Sequence, residues 1–152
     1  MRHSKETRNT KNDWTMPAIL LEAVTILMVI GYLGLQVFYG LLYHVDIEKI
    51  VINLGIGLLL YAIFWILTIS PEKINQLPAE RCVGKVRTYS IWMMRVIKFL
   101  FIAGLLVPSI CDIMSVTLNR YYHAAFIFIL IAVALLFEWK VIIELRKQNN
   151  EE

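Results

Sequence analysis

The sequence predicts an all-α fold, an integral membrane four-helix bundle of two antiparallel hairpins with both termini in the cytosol. Three observations carry that prediction. Four apolar runs, at about 17–43, 50–69, 91–113 and 121–137, have the length of membrane-crossing helices. Of the 152 residues 59% are hydrophobic and 18% charged, whereas a soluble domain carries roughly 25% charged residues. Lipid must therefore solvate most of the surface. The remaining charges are gathered in the tails and in a basic connector, residues 70–90, which separates the two pairs of runs.

Residues 1–16 form a polar tail with Arg2, Lys5, Arg8 and Lys11. The apolar run that follows exceeds the short core of a signal peptide, and no Ala-x-Ala site ends it, so an uncleaved anchor is expected. The membrane domain spans residues 17–143. In its first run Pro17 suits the opening turn of a helix, where its missing N–H costs nothing. At 100° per residue Glu22, Thr25, Val29, Tyr32, Gln36 and Tyr43 share one face, which should point into the bundle because lipid offers nothing to Glu22 or Gln36.

The turn at 43–49 is short enough to make the first two spans antiparallel neighbours. In that hairpin Asn53 is expected opposite Tyr39 and near Gln36, so Glu22, Gln36 and Asn53 make up the expected polar core. Pro71 ends the second span, since it disfavours helix at the residue before it. Residues 71–78 read as irregular, and 81–98 as a helix running from the interface into the third span. Pro108 predicts a kink there, with the freed carbonyl satisfied by Ser109 or a neighbouring helix. The last span is expected to continue as an amphipathic helix through Glu144 and Arg146, with Glu144 pairing Lys147 across one turn, before the tail at 144–152 closes the chain.

Orientation follows from charge. With the tails and connector on one side, thirteen of the fifteen Lys and Arg lie there, and Lys49 and Arg120 lie on the other. That bias places the tails and connector in the cytosol. The aromatics agree, with Trp14, Trp65, Trp92 and Trp139 at the cytosolic interface and Tyr39, Tyr43, Tyr121 and Tyr122 in an outer belt.

Few constellations could carry chemistry. Glu22 is an intramembrane acid. It is either the coupling carboxylate of a proton-driven transporter or an ion-pair partner of Arg95, Lys98 or Lys140. The small multidrug transporters share four spans and a first-span carboxylate, but they are shorter, and their dual-topology members have weak charge bias. His44, Asp46, Glu48, Asp112 and His123 come from the two outer turns. No HExxH-like spacing supports a metal site among them. No Ser/His/Asp or Cys/His arrangement and no Gly-rich phosphate loop suggests an enzyme or a cofactor. Cys82 and Cys111 fall on opposite sides of the bilayer, too far apart for a disulfide. No aromatic-and-basic groove points to nucleic acid. Arg87, Arg95 and Lys98 cluster loosely on one side and are expected to form a cytosolic contact surface.

One segment resembles a known family. An aromatic span end (Tyr61, Phe64, Trp65) is followed by Ser-Pro-Glu-Lys-Ile-Asn at 70–75, a helix with Arg81, Arg87 and Tyr89, and Arg95-x-x-Lys98 entering the next span. This is similar to the small bacterial membrane proteins related to the immunity protein against the sporulation-delaying toxin, with Pro71 and Asn75 as the matching break residues. The resemblance covers about a quarter of the chain. The first outer loop departs from that family's longer Pro, His, Phe-Asn and Gly pattern, with His44 alone in common. The resemblance implies a bacterial cytoplasmic membrane and a non-enzymatic role through protein interaction, either toxin immunity or an accessory subunit. Beyond the lipid bilayer, the expected partner is another membrane protein or a second copy of the chain. The alternative is a small oligomeric transporter using Glu22.

Overall fold

The computed structural model describes residues 14–44, 46–78 and 80–151, and of residues 49, 53 and 151 the backbone alone. Four long helices make up the described chain: α1 (Met16–Tyr43), α2 (Ile47–Ile69), α3 (Gly84–Ile113) and α4 (Tyr122–Glu151). Each is long and apolar enough to cross a membrane. The protein is a multi-pass all-α membrane protein.

Helix ends follow local chemistry. Pro17 stands in the first turn of α1, and His44 ends the helix in a left-handed conformation, φ 48°. Beyond Pro71 a single 3-10 turn (Pro71–Lys73) leads into the connector. Gly84 opens α3 at φ 55°, which a residue without Cβ reaches at no steric cost. Helix α3 thus begins three residues later than the basic pattern suggests. Helix α4 runs through the expected amphipathic extension, where Lys147 Nζ meets Glu144 Oε1 at 3.1 Å.

Helix α3 is the centre. It packs against α1, α2 and α4, whereas α1 and α2 touch each other only slightly, and α4 packs on α3. Side-chain pairs give the directions. Glu22 meets Lys98 and Gln36 meets Ser109, so α1 and α3 run the same way. Gly57 faces Leu105 while Tyr61 faces Lys98, and Tyr122 faces Gly104 while Lys140 faces Tyr89. Helices α2 and α4 therefore run opposite to α3. The connector and both ends of the described chain share one end of the bundle.

Burial is concentrated on the connector-side half of α3, at Val86, Ser90, Ile91, Met93, Met94, Arg95, Lys98 and Ile102. In α1 the buried residues Ala18, Thr25, Tyr32 and Gly40 trace the expected face, with Glu22 and Gln36 on it. Tyr43 departs from that face. It is exposed at the helix end and rests against Tyr39, ring centres 4.7 Å apart.

Polar groups are matched within the bundle. Thr25, Thr68, Ser90 and Ser109 each donate to the backbone carbonyl four residues earlier, so these four hydroxyls need no water. Pro108 removes the backbone donor that would have reached Gly104, and α3 nevertheless continues to Ile113. The Gly104 carbonyl instead accepts from Tyr122 Oη of α4 at 3.4 Å. A neighbouring helix thus fills the gap, while Ser109 serves the Leu105 carbonyl. The ring of Phe126 lies where a Cβ on residue 104 would stand, so this glycine is what admits α4 so close to α3.

Candidate functional site

The polar centre lies where α1, α2 and α3 meet, toward the connector end. Glu22 is on the second turn of α1, in register with Ala18 and Thr25, so its side chain faces α3 rather than lipid. There Lys98 Nζ donates to Glu22 Oε2 at 2.5 Å, and Arg95 Nε stands 3.4 Å from Oε1. Both cations come from α3, one helical turn apart. Lys98 has no exposed side-chain surface, Arg95 is 3% exposed and Glu22 is 12% exposed.

Aromatic faces complete the enclosure. The Trp14 ring covers the Arg95 guanidinium at 5.3 Å, and the Tyr61 ring of α2 lies 5.5 Å from the Lys98 amine. Cation–π contacts of this kind contribute about 0.5–2 kcal/mol each, most when desolvated. The cluster joins three helices. Among the described residues, one carboxylate there meets two cations.

Beside it, on the lipid side of α1 and α2, lies a half-open groove of about 500 Å³. Ile19, Ala23, Ile26, Val29 and Ile30 line it along α1. Tyr61 and Trp65 close it from α2, and Trp14 and Glu22 stand at its polar end. The groove exists because α1 and α2 both lean on α3 and barely touch each other.

The sequence-predicted residues divide in the structure. Glu22 finds two of its three candidate cations, and the third, Lys140, lies instead over the rings of Tyr89 and Phe137. Gln36 is half-buried and reaches α3, donating from Nε2 to Ser109 Oγ at 2.9 Å. The side chain of Asn53, proposed as its neighbour, lies outside the described residues.

The contact surface of Arg87, Arg95 and Lys98 needs correcting. Arg95 and Lys98 are buried, drawn inward by Glu22, and present no surface to a partner. Arg87 is half-buried. Within the connector, Lys73, Arg81 and Lys85 are exposed.

Other residues emerge only in three dimensions. Trp14 and Trp65 read as interface anchors in the sequence, and here they also wall the groove. Tyr61 could have been found from its spacing, since Gly57, Tyr61, Phe64 and Thr68 form one helical face. Among the described residues no group of three or more His, Cys, Asp or Glu could hold a metal. Cys82 and Cys111 lie toward opposite ends of α3, too far apart to pair with each other. No family model, curated protein or solved structure matches the chain, so the site rests on its own geometry.

Proposed function

We propose that this chain is a small non-enzymatic protein of the bacterial cytoplasmic membrane that acts by holding a partner protein, as a toxin-immunity protein or an accessory subunit does. In this reading the tails and connector are cytosolic, on the strength of the thirteen Lys and Arg at that end. The observation that carries it is the engagement of Glu22. A coupling carboxylate must exchange a proton for a substrate during each cycle. Here the carboxylate is held by Lys98 at 2.5 Å and flanked by Arg95, both buried, so each exchange would have to dismantle the junction of three helices. Glu22 is better suited to tie α1 to α3 than to cycle.

The contact chemistry belongs at the connector end. Exposed Lys73, Arg81 and Lys85 form a basic rim that suits an acidic face of a membrane partner. The test is gentle purification of the tagged chain, with mass spectrometry of what accompanies it. A near-stoichiometric partner should be released when Lys73, Arg81 and Lys85 are changed together to Gln, with the thermal midpoint unchanged. A homo-oligomer with no other protein, and proton flux lost in Glu22→Gln at normal abundance, would replace this reading with the transporter.

A further inference from the structure

We draw no further inference here: the strongest candidate, the half-open apolar groove between α1 and α2 with Trp14, Tyr61 and Trp65 along its walls, carries nothing because no feature of the structure shows what covers it.

Discussion

Removing the charge of Glu22 should unsettle the whole bundle, because two buried cations depend on it. In Glu22→Gln, Lys98 and Arg95 keep their positions but lose the carboxylate that ties them to α1. Breaking a buried ion pair from one side costs about 3–5 kcal/mol in soluble proteins. Insertion scales put a lone mid-bilayer cation or acid at about 2.5–3.5 kcal/mol. The cluster lies toward one end of the bundle and the amide still accepts one hydrogen bond, so the low end applies, about 2–3 kcal/mol. For a chain of this size that lowers the thermal midpoint by about 4–12 °C.

The assay is the loss of monodisperse protein on heating in mild detergent, followed by size-exclusion chromatography. Adding Lys98→Met to Glu22→Gln should restore part of the loss, since the fully buried amine that Glu22 held is then gone. A Glu22→Gln midpoint within about 1 °C of wild type would refute the tie. So would a double variant no more stable than Glu22→Gln alone.

Two further outcomes are expected. Gly104→Ala should destabilise the protein by about 1–3 kcal/mol, because its methyl group would occupy the place of the Phe126 ring. Phe126→Leu in the same chain should recover part of that in a thermal scan, and no recovery would mean that α4 meets α3 differently. For orientation, both cysteines are first replaced by Ser. Ser115→Cys, in the exposed turn between α3 and α4, should then react with an impermeant maleimide on intact cells, and Lys85→Cys only after lysis. The reverse pattern would invert the assignment of sides.

Much of this fold can be read from hydropathy alone, because in lipid each span must satisfy its own backbone and so must be a long apolar helix. Phase also carried through. Ala18, Thr25 and Tyr32 lie inside because they share a helical face with Glu22, which lipid would reject. Depth was harder. Arg95 and Lys98 stand near the start of a span, where a long cationic side chain can either snorkel to water or turn inward, and spacing alone does not decide between them. The carboxylate on α1 decides it, and that is a contact across 76 residues of sequence. The link from Tyr122 to Gly104 likewise depends on how α4 lies on α3. The groove was invisible for a related reason. It arises from the splay of α1 and α2 around α3, and a helical period specifies which faces are apolar, not the angle between two helices.

The separation between Glu22 and Lys98 also bears on how the chain is made. At about 5–20 residues per second, α1 is synthesised roughly 4–15 seconds before the lysine that holds it exists. During that interval the first hairpin lacks the two cations that hold its carboxylate in the folded chain, and α1 and α2 have little contact of their own to stabilise each other. The hairpin is thus an unfinished unit, and the arrival of α3 completes it, bringing both cations together within one helical turn. A chain truncated before residue 95 should therefore be degraded faster than the full chain, as measured by its half-life in the membrane fraction.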